Sequence, residues 1–312
     1  MKYQSLLLSV LITGSVSAQN ISPYIINGNP ASIVNFPSFA SLYFDDGKKY
    51  GYTCGATMLN QQYVLTAAHC IVGDESLMLN SRVVVQLQNE TDYVNGNNMA
   101  SRGIEYYYPD NYVDDENVLW PNDIAIIKLQ SPLNISDFSS LINTTQNDNY
   151  PINPGNPSFV TIGHGLEAGN VEGGTALLKT ELQLIDGANI CGTSNKQLCF
   201  DGAIVGDYKN STCNGDSGGP VYWWDGAEYK QIGITSYGPN ECGNTTSSYT
   251  SVFTEVYDYQ DWITSVLAGT VEPQFKANPH DDKFRANEEG GGSSWYQLGL
   301  LGLALLLRRR NR

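Results

Sequence analysis

Eight short runs constrain this chain most: "ASLYF", "YVLTAA", "RVVVQL", "DIAIIKL", "SFVTIG", "ELQLI", "QIGITSYG" and "SVFTEV". Each is rich in β-branched or aromatic residues and is set off by Gly, Asn, Asp or Pro, so the pattern predicts many short strands in an all-β sandwich or barrel. Helical periodicity is confined to "TEVYDYQDWITSVLAG", where Val256, Tyr259, Ile263 and Val266 share one face and Gly269 can end the helix. No segment repeats at a fixed period. With 41% hydrophobic residues over 312, the chain can bury a substantial core. A net charge of −15 argues against nucleic acid or an anionic membrane surface as a partner of the folded part.

Both ends differ from this middle. Residues 1–18 combine Lys2, an apolar run from Leu6 to Ile12, and small residues Val16 and Ala18, which predicts a secretory signal peptide cut after Ala18. An exported chain meets an oxidising compartment, where its six cysteines, Cys54, Cys70, Cys191, Cys199, Cys213 and Cys242, are expected to form three disulfides. Fifteen pairings are open at this point. No CxxC pair suggests zinc, so neither a metal nor a cofactor is expected.

Residues 269–294 have the composition of a polar linker. Trp295 to Leu307 is an uncharged stretch of about 20 Å as a helix, short against a hydrocarbon core of about 30 Å. Arg308, Arg309, Arg310 and Arg312 would hold residues 295–312 on the cytoplasmic side. Glycines, a short apolar segment and terminal arginines resemble the GlyGly-CTERM sorting tail of secreted proteins of Gram-negative bacteria. That resemblance implies transient anchoring, removal by a rhomboid-like intramembrane protease, and attachment to the surface or release. The alternative is a plain C-terminal anchor. Six Asn-X-Ser/Thr sequons, beginning at Asn20, Asn89, Asn134, Asn143, Asn210 and Asn244, read as composition in so Asn-rich a chain.

The chemistry concentrates in "TCNGDSGGP", residues 212–220, where glycines around Ser217 allow a sharp turn that exposes a hydroxyl and free amides. A hydroxyl needs a base to become a nucleophile near neutral pH. Of three histidines, His280 lies in the polar linker and His164, in "TIGHGL", has no partner signal. His69, in "VLTAAHC", follows a strand and adjoins Cys70. Asp123, heading the apolar run of "NDIAIIKL", is the natural buried carboxylate to orient the base.

"VLTAAHC", "NDIAIIKL" and "GDSGGP", in that order, resemble the chymotrypsin and trypsin family of serine proteases. "CGATMLNQQYVLTAAHC", "ITSYG", "YQDWI" and "IINGNPA" extend the likeness to roughly residues 25–268. It implies two six-stranded antiparallel β-barrels with a C-terminal helix, an active site between them, and pairs Cys54–Cys70, Cys191–Cys199 and Cys213–Cys242. It also implies a secreted endopeptidase acting on proteins or peptides, with Ser217 as nucleophile, His69 as base and then acid, Asp123 as its orienter, and the amides of Gly215 and Ser217 as oxyanion hole. Two residues depart from the family pattern: Tyr237 and His164 stand where Trp is usual, and neither belongs to the triad.

Ser211 falls at the floor of the family's specificity pocket, Gly238 at its mouth and Ser251 on its wall. With no carboxylate at the floor, cleavage after large apolar or aromatic residues is expected. The family also implies a zymogen in which residues 19–24 are removed and the new ammonium of Ile25 pairs with Asp216. Tyr24, before that cut, suits the pocket's own preference and suggests that this protease, or a neighbour of like specificity, removes residues 19–24. The alternative is a silent homologue serving as a surface binding module, whose mark would be a substituted triad residue; none is substituted. An α/β-hydrolase is disfavoured because the order here is His, Asp, Ser.

Overall fold

The computed structural model describes residues 25–94, 96, 99–138, 141–143, 149–166, 175–193 and 196–277. The leader, Tyr24, His280 and the C-terminal tail lie outside the described residues. In chain order the strands are β1 (Asn29–Pro30), β2 (Phe39–Asp45), β3 (Tyr50–Met58), β4 (Tyr63–Thr66), β5 (Ser81–Val85), β6 (Met99–Tyr107), β7 (Ala125–Leu129), β8 (Phe159–Gly163) and β9 (Leu178–Glu181). They continue with β10 (Gln183–Ile185), β11 (Gln197–Asp201), β12 (Ile204–Val205), β13 (Tyr208–Lys209), β14 (Pro220–Trp224), β15 (Tyr229–Tyr237), β16 (Ser251–Glu255) and β17 (Phe275–Lys276).

Strands β6-β5-β2-β3-β4-β7 form an antiparallel sheet that closes on itself through β6 and β7. A second antiparallel sheet runs β1-β9-β8-β14-β15-β16-β11-β10. Its ends meet through the chain: only Leu182 separates β9, laddered on β8, from β10, laddered on β11. The result is a closed six-stranded barrel beside a curled, eight-stranded sheet, in keeping with the two barrels that the resemblance implies. One apolar cluster runs through both, from Leu42, Met58 and Ile126 to Ile234 and Phe253.

All eight apolar runs fall on strands. Among the further strands are β3, β6, β11 and β14, and β3 ("YGYTCGATM") and β6 ("MASRGIEYY") carry glycines and polar residues that weaken any local strand signal. Their ladders decide them. The register shifts between Gly103 and Glu105, and a Cβ on Gly103 would stand 2.3 Å from the Tyr106 hydroxyl, so close packing explains the glycine.

The predicted helix is shorter than its periodicity. Gln260–Leu267 is α-helical after a 3-10 turn at Tyr257–Tyr259, because Thr254 is already paired with Gln197 in the sheet. All four residues of the expected face are buried. Gly269 ends the helix at φ +71.

The linker reading needs correcting at its start. Residues 271–277 leave the helix and lie against the first barrel, with Phe275 opposite Tyr106 and Lys276 opposite Glu105. Val271, Pro273, Phe275 and Ala277 are half-buried while Glu272, Gln274 and Lys276 are exposed. That is strand periodicity, diluted by the polar half of each pair.

Disulfides join Cys54 to Cys70, Cys191 to Cys199 and Cys213 to Cys242, and no cysteine is left free. Each closes a loop worth roughly 2–4 kcal/mol by chain-entropy arguments. Among the described residues, no helix is long and apolar enough to cross a membrane.

Candidate active site

The ladder between β4 and β7 places two groups 54 residues apart side by side. Thr66 pairs with Ala125, which sets the turn Ala68–Cys70 against the residue that precedes β7. His69 Nδ1 then stands 2.7 Å from Asp123 Oδ2, and the His69 amide donates to Asp123 Oδ1 at 2.9 Å. The second barrel completes the site: Ser236 Oγ donates to Asp123 Oδ2 at 2.5 Å and Thr254 Oγ1 to the Asp123 carbonyl at 2.8 Å.

Asp123 is fully buried, and burial alone would raise its pKa. The His69 charge and the hydrogen bonds from His69 and Ser236 outweigh it, so the carboxyl lies below its ordinary 3.8. For His69, burial opposes the cation, but Asp123 and then Asp114 lift the pKa above 6.5. With Nδ1 engaged, Nε2 is the nitrogen left to exchange a proton.

Ser217 sits in a loop that only small residues permit. Gly218 adopts φ +77, and a Cβ there would lie 2.2 Å from Thr66 Oγ1 and 2.4 Å from the Gly55 carbonyl. The amides of Asp216, Gly218 and Gly219 donate to Cys213, Thr235 and Asp216 carbonyls, and the Ser217 carbonyl accepts from Gly55 at 2.7 Å. The amides of Gly215 and Ser217 have no partner among the described residues. Two N–H groups flanking Asp216 are therefore unspent.

Asp216 is the second fully buried carboxylate. It accepts from Gly165 N and Cys213 N, each at 2.8 Å, and the backbone closes so tightly that a Cβ on Gly163 or Gly165 would strike it at 2.1 or 2.4 Å. Burial pushes its pKa up to about 7 despite those two bonds. His164, packed between Phe39 and Tyr52, supplies no charge nearby, because burial pushes it down to about 3. Ile25 is fully buried against Leu178, at φ +59, and Ile26 N donates to the Ser211 carbonyl at 3.0 Å. A β-branched residue at positive φ is strained.

A cavity of about 620 Å³ brings together His69, Ser217, Thr212, Ser236, Tyr237, Gly238 and Asn214. Ser211 and Ser251 do not line it; both are fully buried. Ser251 Oγ accepts from Thr212 N and Thr212 Oγ1, at 3.1 and 2.9 Å, so the threonine covers it. Thr212, Ser236 and Trp120 escaped the sequence reading. Trp120 also lines the cavity, its ring 5.3 Å from that of Tyr237. Asp74 and Asp114 also line it. Among the described residues, the one group with metal-ligand spacing is Cys54, His69 and Cys70, whose two sulfurs are bonded to each other.

Residues 25–263 match the family model described as Trypsin. The chain is 30% identical over 252 residues to chymotrypsin-like elastase family member 1 of Canis lupus familiaris, covering 78% of this chain and 92% of that protein. It is 28% identical over 277 residues to a phenoloxidase-activating enzyme of Bombyx mori, covering 80% and 61%. A snake venom serine protease of Crotalus durissus durissus is 27% identical over 275 residues, covering 85% and 96%.

Proposed function

Because the chain belongs to the trypsin family and is a serine endopeptidase, we propose that Ser217 Oγ attacks the carbonyl carbon of the scissile peptide while His69 Nε2 takes its proton. The tetrahedral intermediate puts its negative oxygen between the Gly215 and Ser217 amides. Losing one such donor typically costs about 3 kcal/mol of transition-state stabilisation. His69 then hands the proton to the departing amine, leaving an acyl-Ser217 that water hydrolyses by the same steps. Asp123 holds the tautomer and stabilises the imidazolium. The observation that carries this reading is Ser217 in one cavity with a His69 ring oriented by a buried carboxylate, together with the unspent amides of Gly215 and Ser217. A serine-directed phosphonate should label the wild type and not Ser217→Ala; labelling that survives the substitution would sink it.

The protein is made as a secreted zymogen on this reading: residues 1–18 leave on export, residues 19–24 form the propeptide, residues 25–268 form the protease domain and the tail from residue 295 sorts the chain and is removed by a rhomboid-like protease. A buried Asp216 with two amides and no side-chain cation supports the zymogen step. Cutting before Ile25 supplies the missing ammonium. Product release mainly from peptides ending in Arg or Lys would contradict the preference for Leu, Phe and Tyr, which rests on the family's placing of Ser211 at the pocket floor and on the uncharged Thr212 that meets the cavity in its stead. A Ser217→Ala chain that still begins at Ile25 when expressed alone would rule out self-activation.

A further inference from the structure

We infer that residues 271–277 form a strap that positions the substrate-facing wall of the cleft, with Gln274 as its positioning residue; this rests on the reading of the cavity as the substrate cleft. The strap starts at the end of the helix Gln260–Leu267 and lays Val271, Phe275 and Ala277 on the shared apolar core. Strand β6 explains why there is room for it. Its first half, Met99 to Arg102, ladders onto β5; its second half ladders onto β7 on one side and leaves the other open. β17 fills that edge: Gln274 N donates to the Tyr106 carbonyl at 2.9 Å and Ala277 N to the Ile104 carbonyl at 2.8 Å. Phe275 packs on the Tyr106 ring at 5.8 Å.

Gln274 goes one step beyond the strand. Its Oε1 accepts from Tyr108 N at 3.0 Å and its Nε2 donates to Asp110 Oδ1 at 3.2 Å. Both partners lie at the root of the arch that leads from β6 to Asp123. The arch is tied across its neck, Asn122 Nδ2 to the Asn111 carbonyl at 3.0 Å and Val113 N to the Pro121 carbonyl at 3.4 Å. Its crown holds Leu119, Trp120 and Asn122 at positive φ, a strained path for residues with a Cβ. Trp120 and Asp114, joined by an indole hydrogen bond of 3.2 Å, are the arch's contribution to the cavity. The root tie works with two ties nearer the crown, Gln197 Nε2 to the Leu119 carbonyl at 2.7 Å and the Tyr259 hydroxyl to Asn122 Oδ1 at 2.9 Å, so loosening the root removes one of the arch's supports and lets Trp120 shift. Asp123 itself is held by His69, Ser236 and Thr254, independently of the strap.

The test compares a peptide substrate long enough to reach Trp120 with a small single-residue aryl ester, using the exported protein processed to begin at Ile25 and retaining residues 271–277. Gln274→Ala should raise KM for the long peptide by roughly fivefold, the loss of about one net hydrogen bond, with kcat and ester hydrolysis within twofold. Gln274→Glu keeps the acceptor for Tyr108 N but faces the Asp110 carboxylate, and should raise the same KM. Amide exchange at Tyr108 should quicken in Gln274→Ala without a change at Gly55. Unchanged KM and Tyr108 exchange, or equal loss on both substrates, would overturn the inference. Phosphonate labelling of the wild type checks the serine-protease reading separately: an unlabelled wild type counts against that reading, and the Tyr108 exchange still decides the strap.

Discussion

Two aspartates in this molecule are equally buried and electrostatically opposite. Asp123 faces the His69 ring and the Ser236 hydroxyl and is held below its ordinary pKa; Asp216 faces two backbone amides and is pushed up to about 7. Burial acts the same way on both. The difference is the partner: one carboxylate has a group able to carry positive charge within 2.7 Å, and the other has only dipoles. The first site is electrostatically complete as folded, and the second has no cationic partner among the described residues, which is where the proposed zymogen step would supply one.

The largest break in that contrast is Asp123→Asn, which leaves His69 without a negative partner. We expect kcat to fall roughly ten-thousandfold on an ester substrate with KM little changed. Next is the cation at Asp216: a chain whose Ile25 amine is acetylated should lose about a hundredfold or more in activity, since an uncompensated buried charge costs several kcal/mol. Full activity in the blocked protein would remove the contrast altogether.

Stability sharpens the comparison further. In the uncut chain the Asp216 pKa rises from 3.8 to about 7 on folding, so the unfolded chain loses its proton first and stability falls as pH climbs between those values. Asp216→Asn escapes that loss and should stabilise the uncut chain by roughly 1–3 kcal/mol at pH 8, after allowance for a weakened acceptor, with no such gain at pH 3. Asp123 has the opposite sign: its contribution is present above pH 3.8 and disappears as pH falls through its lowered pKa, so Asp123→Asn should destabilise at pH 8. Urea unfolding at the two pH values measures both. The smallest effect concerns Asp114, which helps raise the His69 pKa. Activity needs neutral His69, so its rising limb lies above pH 6.5, and Asp114→Asn should move that limb down, less so at high salt.

Much of this was legible locally. His69, Asp123 and Ser217 each sit in a motif whose neighbours explain them: a cysteine that pins, an apolar strand that buries, glycines that let the chain turn. The eight apolar runs show their strand character because their side chains are also their reason to pair. Strands β3 and β6 do not, since Gly55 and Gly103 are there for the close approach of Gly219 and Ile127, which lie far along the chain. The strap was hidden for a related reason: in "VEPQFKA" the exposed residues are polar and the half-buried ones sparse, and composition averages the two away.

By itself, then, the chain's order of residues determined the eight apolar strand runs and singled out Ser217, His69 and Asp123 as candidate nucleophile, base and carboxylate, because those readings depend on residue type and near neighbours. Tertiary structure alone decided that Thr212 and not Ser211 meets the cavity, that Ser236 and Thr254 from the second barrel fasten Asp123 in the first, and that Gln274 reaches the root of the substrate wall. Those contacts join residues far apart in the chain, and burial, not identity, sets what each group does there. A carboxylate's charge is a property of its surroundings, and the surroundings exist only once both barrels have closed.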